Sequence, residues 1–424
     1  MMRHLYSGLM YLLTPLLLLR LLMRGRKAPA YLTRWGERFG FYGKQPQTVI
    51  WFHTVSVGEA EAAFPLINEV ASRFPNLDIL VTTTTPTGSA RVKAFLGQRV
   101  SHVYLPYDTP GAMRRFYRCF KPIVGVILET EIWPNMLYQA KCFGTPTLIV
   151  NARLSERSAK GYSRLGGFMR QTLSTITHVF AQTDNSAQRF VALGLEASKI
   201  SVPGNIKFDM PYPAYLKEQA EVIRRDWFQQ RPSWIAASTH EEEDEVVLAA
   251  FSLVKKQFPS VLLVLVPRHP ERFNEVAQLC VRQGFSVTRR TEQRKAQVSS
   301  DVFLLDTIGE LKLYYGTVDA AFVGGSFVPT GGHNMLEPAA LAVPILFGPH
   351  VHNFTEISER LIDLHAAIQV NDANELAVQL IELLEHAEKR DQMGAAGCCF
   401  VEQNQGAVQK VSDEIARVID EYAH

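Results

Sequence analysis

From Thr48 onward the chain repeats one pattern: a short apolar run rich in β-branched residues, a turn of small or polar residues, then a stretch with helical spacing. Residues 48–53, 77–83, 101–105, 123–128, 147–150, 178–181 and 200–202 read as strands. Helical patterns separate several of them, at 60–73, 88–96 and 186–193. Alternation of this kind constrains the fold to βαβ units around a parallel sheet. Two prolines in the segment DMPYPA (209–214) end this first set. A second set follows at 234–237, 261–266, 285–288, 302–305, 320–323, 345–347 and 367–370, with helices at 242–257 and 270–282. The expectation is α/β: two doubly wound, Rossmann-like domains, 41–210 and 211–424. A ligand is expected in the cleft they form, because open α/β sheets bind at the carboxyl ends of their strands. The tail from His386 has a helical pattern broken by Gly394, Gly397 and Gly406, and can cross back to the first domain.

Ahead of the repeat lies an uncharged run, LYSGLMYLLTPLLLL (5–19), then Arg20 and LLM. Residues 5–23 are about the shortest stretch that spans a bilayer core of roughly 20 residues. Three readings compete: a membrane anchor, a cleaved leader ending near Ala28-Pro29-Ala30, and a helix buried in a soluble core. Arg24, Arg26 and Lys27 stand between the apolar run and the small-residue site, which disfavours cleavage. The anchor is the reading carried forward. The heavier cation cluster follows it, so the positive-inside rule puts the body in the cytoplasm. The segment YLTRWGERF (31–39) mixes aromatics with arginines, as suits a lipid headgroup region. Residues 1–40 are therefore taken as an anchor with a basic interfacial segment.

Charge supports that division. The formal net charge of the 424 residues is +2. The first 40 carry seven basic side chains against Glu37, a net of +6, which leaves −4 for the rest. A mildly acidic body argues against bulk nucleic-acid binding. Hydrophobic residues at 47% and charged residues at 20% exclude disorder. The five cysteines show no metal-ligand spacing and fit a reducing compartment.

Candidate functional residues cluster where strands are expected to end. WFHTVSVGEAE (51–61) places Ser56, Gly58 and Glu59 at a strand exit and helix start. A carboxylate there can take a proton from a hydroxyl. It can equally be an acid favoured by the helix dipole, which would lower its pKa. Thr84, Thr87 and Gly88 in TTTTPTGS offer hydroxyls and backbone donors, or ordinary helix caps. Glu129 and Glu131 in ETEIWPN suggest a cleft wall, or a loop cap before a helix at Pro134. In the second half Arg268 follows an apolar strand, as suits a phosphate. Ser238-Thr239-His240 ends a strand similarly, and the acids Glu241–Glu245 read as a solvated helix start. Gly309 and Glu310 close another strand. Gly324-Gly325-Ser326, then Gly332, Asn334 and Glu337 in GGHNMLEP, bring backbone donors and a ribose-accepting carboxylate to a late strand exit. No GxxxxGK[ST] and no GxGxxG after the first strand is present, so a P-loop ATPase and a dinucleotide dehydrogenase are disfavoured.

Nine strings, in order, resemble the signatures of the Kdo transferases: WFHTVSVGEAEA, TTTTPTGSARV, YLPYDTP, ETEIWPN, NARLSERSAKGY, GNIKFD, VPRHPERF, DTIGELKLYY and FVGGSFVPTGGHNMLEPA. The resemblance runs from Trp51 to about Phe354, nearly the whole chain with its anchor. It implies the two-domain GT-B glycosyltransferase fold and an inverting transfer of Kdo (3-deoxy-D-manno-octulosonic acid) from CMP-Kdo. The acceptor it implies is the tetraacyl-disaccharide bisphosphate precursor of lipid A, in lipopolysaccharide biosynthesis at the cytoplasmic face of an inner membrane. Partners are then CMP-Kdo, the lipid A precursor and anionic membrane lipids, with no cofactor and no metal called for. By motif, Glu59 matches the general base. Arg268, Gly309, Glu310, Gly332, Asn334 and Glu337 match nucleotide-binding positions, and Lys207 in GNIKFD matches near the same site. One departure is visible: the family commonly has a glycine in the acidic stretch after ASTH, where Glu241, Glu242 and Glu243 are consecutive here. The alternatives are another GT-B transferase or epimerase using a UDP-sugar, and a non-catalytic membrane-tethered binder of lipid phosphates.

Overall fold

The computed structural model describes residues 2–43, 48–209, 212, 214–292 and 299–422. The chain divides into two compact units, Met1–Met210 with Asn404–His424, and Pro211–Gln403.

The first unit is built on seven parallel strands: β1 (Val49–His53), β2 (Asp78–Thr83), β3 (Ser101–Tyr104), β4 (Pro122–Leu128), β5 (Thr147–Ala152), β6 (His178–Ala181) and β7 (Ile200–Ser201). Their order is β3-β2-β1-β4-β5-β6-β7. All five residues of β1 are buried, as both faces of a parallel sheet are covered by helices. Ile50 and Phe52 enter one core layer, and Val49 and Trp51 the other. Gly125 of β4 sits against the Trp51 ring; a Cβ there would come within 2.9 Å of it, so the central strand pair needs a glycine.

The second unit repeats the plan with β8 (Ser233–Thr239), β9 (Leu262–Pro267), β10 (Val287–Arg289), β11 (Val302–Leu304), β12 (Ala320–Val323), β13 (Ile345–Phe347) and β14 (Ala367–Gln369), in the order β10-β11-β9-β8-β12-β13-β14. The strand order reverses its progress between β1 and β4 in one unit, and between β8 and β12 in the other. Those switch points are where such sheets open a crevice at their carboxyl ends. All fourteen expected strands form, with ends shifted by at most two residues.

Two expectations need correction. The span 211–424 is not one unit, because the last helix, Ala407–Tyr422, packs on the first. Its Val411, Ile415 and Ile419 join the core layer of Ile50 and Phe52. Asp209 fixes the crossing by accepting from the backbone N–H of Gly406 (2.5 Å) and Val408 (2.6 Å). Nor are the arginines of 31–39 left free for lipid headgroups. Arg34 pairs with Glu37 (2.7 and 2.8 Å) and donates to the His102 carbonyl (2.9 Å). Arg38 is only 4% exposed, donates to the Thr84 carbonyl (3.2 Å) and lies 4.3 Å from the centre of the Tyr104 ring. Two of the seven N-terminal cations are thus spent on the edge of the first sheet. The N-terminal helix runs unbroken over Met2–Lys27, with Pro15 inside it.

Candidate active site

β1 ends in Thr54-Val55-Ser56, and the helix Val57–Arg73 begins at once. Ser56 is its N-cap, its Oγ accepting from the Glu59 backbone N–H (3.3 Å). Glu59 reaches back, accepting from the Val55 N–H (2.7 Å) and the Ser56 hydroxyl (3.0 Å). This reciprocal capping box holds the carboxylate in one place at the switch point. The dipole expectation for its pKa is overturned. Burial pushes the Glu59 carboxyl up to about 7, aided by the charges of Glu129 and Glu131 and opposed by the Val55 and Ser56 donors. Desolvation and like charge outweigh the helix terminus here.

Glu129 leaves β4 beside β1, in the left-handed region (φ 58°). Its carboxylate pairs with Lys207 Nζ at 3.1 Å. Glu131 accepts from Trp133 Nε1 (2.5 Å), and burial raises its pKa. Within the first unit Lys207 is thus the partner of Glu129. Its turn, Ile206–Phe208, is drawn over the sheet because Asn151 Oδ1 accepts from the Ile206 N–H (3.1 Å). The Thr84 hydroxyl donates to the Val55 carbonyl (3.1 Å), bracing the loop that carries Glu59. Thr87 is exposed. The N–H of Gly88 is taken by the capping hydroxyl of Thr85 (3.1 Å), so the helix here starts with an ordinary cap. Gly58 is exposed with open space about it. Behind the site His53 is fully buried, which lowers its imidazole to about 4 and keeps it neutral.

In the second unit the acids after β8 are not a solvated run. Glu243 is 0% and Asp244 1% exposed. Glu243 accepts four backbone N–H groups: His240 (2.9 Å), Gly325 (2.6 Å), Ser326 (2.9 Å) and Phe327 (2.8 Å). It ties the exit of β8 to the exit of β12 across the switch point. The donors of Gly325-Ser326 expected to meet a phosphate are therefore already occupied. Gly325 turns through φ 67°, and a Cβ there would come within 2.9 Å of the His333 ring. Asp244 holds Arg272 and the Thr239 hydroxyl.

The nucleotide-matching residues sit on this framework. Arg268 follows β9 and is exposed, its backbone N–H anchored on the Thr239 carbonyl (2.9 Å). His240 and His333 stack in parallel at 5.1 Å with Nε2 atoms 2.9 Å apart, and His269 meets His240 edge-on at 5.3 Å. Two ring nitrogens this close share one proton. Burial, then the charge of Arg268, lowers His333 to about 3. Gly309 has φ 94° and open space where a side chain would be. Glu310 is engaged by Arg290 (2.9 Å) and the Thr307 hydroxyl, which narrows what a ligand can take from it. Gly332 has φ 76°. Asn334 accepts from the Leu336 N–H (3.1 Å) and donates weakly to Glu337 (3.5 Å). The helix after the glycines is a single turn, Leu336–Ala339. The role of Glu243 and the clustering of the three histidines were not foreseen. The available signal was spacing: Glu243 follows its strand-exit turn at His240 by three residues, as Glu59 follows Ser56.

A family description reading 3-deoxy-D-manno-octulosonic-acid transferase (kdotransferase) matches residues 33–210. The 3-deoxy-D-manno-octulosonic acid transferase of Haemophilus influenzae is 41% identical, over 97% of this chain and 98% of its own length. That of Bordetella pertussis is 33% identical, over 97% and 98%. Among solved structures, a UDP-GlcNAc 2-epimerase from Neisseria meningitidis bound to UDP-GlcNAc superposes with a TM-score of 0.54, covering 89% of this chain and 100% of its own, at 15% identity. S. aureus MnaA with UDP gives 0.55, covering 89% and 97%, at 14%. At such low identity these likenesses establish the GT-B-like fold alone.

Proposed function

The chain belongs to the 3-deoxy-D-manno-octulosonic acid transferase family and is a glycosyltransferase, and on that premise we propose an inverting transfer of Kdo from CMP-Kdo to the tetraacyl-disaccharide bisphosphate precursor of lipid A. Glu59 is the general base. The observation that carries this is its geometry, a half-buried carboxylate fixed by a capping box at a switch point beside Glu129 and Glu131; burial pushes it up to about 7, near the working pH. The acceptor hydroxyl gives its proton to Glu59 as its oxygen attacks the anomeric carbon. The bond to the CMP phosphate breaks from the opposite face, and CMP leaves with the electron pair. The anomeric carbon is fully substituted, so its transition state resembles an oxocarbenium ion, as in glycoside hydrolysis. The departing phosphate needs electrostatic support, which Arg268 and the backbone at Gly309 and Gly332 supply. Glu337 and Asn334 hold the ribose.

In this reading the protein works at the cytoplasmic face of an inner membrane, held by the apolar helix Met2–Lys27. The basic residues that follow the apolar run favour anionic lipid and the acceptor's phosphates. Incubation with CMP-Kdo and the tetraacyl acceptor, followed by mass spectrometry of the lipid, tests the proposal. The expected product gains Kdo, and CMP inhibits where UDP does not. An unmodified lipid, or equal competition by UDP, contradicts it.

A further inference from the structure

The helix Met2–Lys27 is long and apolar enough to cross a membrane, with mean hydropathy 1.6 over its most apolar window. Its contacts argue for another placement. Near its start, Tyr6 Oη donates to Asp108 Oδ2 (2.9 Å) and Ser7 Oγ donates to Asn135 Oδ1 (2.9 Å). The Arg3 guanidinium covers the Tyr138 ring at 3.5 Å. One turn on, the Gly111 N–H donates to Tyr11 Oη (3.2 Å). Near its end, Leu21 is 5% exposed and Gly25 packs under Leu32. Ser7 to Gly25 is 18 residues, about 27 Å of helix. At its start the helix rests on the first unit, and at its end it packs on the turn Pro29–Leu32. Asp108 is 2% exposed, and among the described residues its carboxylate accepts, besides Tyr6, the backbone N–H groups of Asn135 (3.0 Å) and Met136 (2.7 Å). Lifting the helix away strips a buried carboxylate of its one hydroxyl donor, which is costly.

The opposite face is a row of leucines. Leu5, Leu9, Leu12, Leu16 and Leu19 are 50–75% exposed, spaced alternately by four and three residues. Such a seam can pair with a second copy or enter lipid. Coiled-coil seams carry charges at their flanking positions. Here the flanks are Tyr6, Gly8, Leu13 and Pro15, uncharged until Arg20. The exposed cations Arg20, Arg24 and Arg26 gather at one end, where they meet anionic headgroups. These features favour lipid.

We propose that the helix Met2–Lys27 lies in the plane of an anionic bilayer with its leucine row in the acyl boundary. It is tied to the first unit at its start and to the turn Pro29–Leu32 at its end, and does not span. This rests on the membrane reading given above and sharpens it. Both ends of the helix then stay on the side of the body.

A His4→Cys variant tests this in spheroplasts with a membrane-impermeant maleimide. His4 is exposed, and exposed Cys142 and Cys399 report access to the body. No labelling of intact spheroplasts is expected, and after lysis the introduced thiol should raise labelling above that of the parent protein. Labelling of intact spheroplasts overturns the proposal. A second arm compares purified wild type with Leu12→Glu/Leu16→Glu on phosphatidylglycerol–phosphatidylethanolamine vesicles. At least a tenfold loss of vesicle binding with an unchanged melting temperature is expected. Wild type that ignores vesicles but dimerises through the leucines also overturns it, and that result separately removes the membrane reading.

Discussion

Each sheet carries a glutamate three residues beyond the turn that leaves its first strand, and the two have opposite surroundings. Glu243 is fully buried and accepts four backbone N–H groups. Glu59 accepts one N–H and one hydroxyl, with the charges of Glu129 and Glu131 nearby. A carboxylate saturated with donors is a fastener. One with few donors and acidic neighbours is held near neutrality and can trade a proton. Position in the fold is thus shared, and the count of donors against like charges separates scaffold from chemistry.

The largest effect that tests this contrast belongs to Glu59. Glu59→Gln keeps the fold and CMP affinity but lowers the transfer rate by about 10² or more, as expected for a general base. Glu243→Gln does the reverse. Its amide nitrogen turns a donor toward N–H groups, so unfolding in denaturant should be easier by about 2–4 kcal/mol, from lost charge-assisted bonds to buried donors. A Glu243→Gln protein as stable as wild type would leave the contrast without basis.

Proton linkage gives a third test. A carboxyl raised from its ordinary value of 4.5 to about 7 in the fold stabilises the protein below 4.5. That contribution is lost as pH climbs to about 7. Glu59→Gln should therefore gain melting temperature relative to wild type from pH 5 to pH 8. The transfer rate of wild type should rise through pH 7 as Glu59 ionises. Glu129→Gln removes a like charge and should move that midpoint down; an upward move contradicts the coupling. Smaller still, Arg268→Ala and Glu337→Ala should each weaken CMP binding by about tenfold in calorimetry, the worth of about 1.4 kcal/mol. Thr85→Ala, which only removes a helix cap, should cost about 1 kcal/mol of stability and leave transfer intact.

The sheets were legible because a strand buried on both faces must be largely apolar, as Val49–Phe52 is. Glu59 was legible as a strand-exit acid, though its pKa was not. Burial and the approach of Glu129 come from a strand some seventy residues away in sequence. Glu243 was hidden inside five consecutive acids, where composition suggests solvent. What turns it inward is its three-residue spacing from His240 and the return of the Gly325 turn from β12. Arg34 and Arg38 misled for the same reason, since nothing local reveals that His102, Thr84 and Tyr104 await them. The last helix crosses to the first unit because Val411, Ile415 and Ile419 find their core there, a long-range choice that periodicity alone does not encode.

The most direct measurement is a single-turnover assay of wild type and Glu59→Gln with CMP-Kdo and the tetraacyl acceptor, with CMP binding measured on the same preparations. The account predicts equal CMP affinity and a Kdo-transfer rate at least about a hundredfold lower in the variant. Transfer within tenfold of wild type would contradict Glu59 as the base.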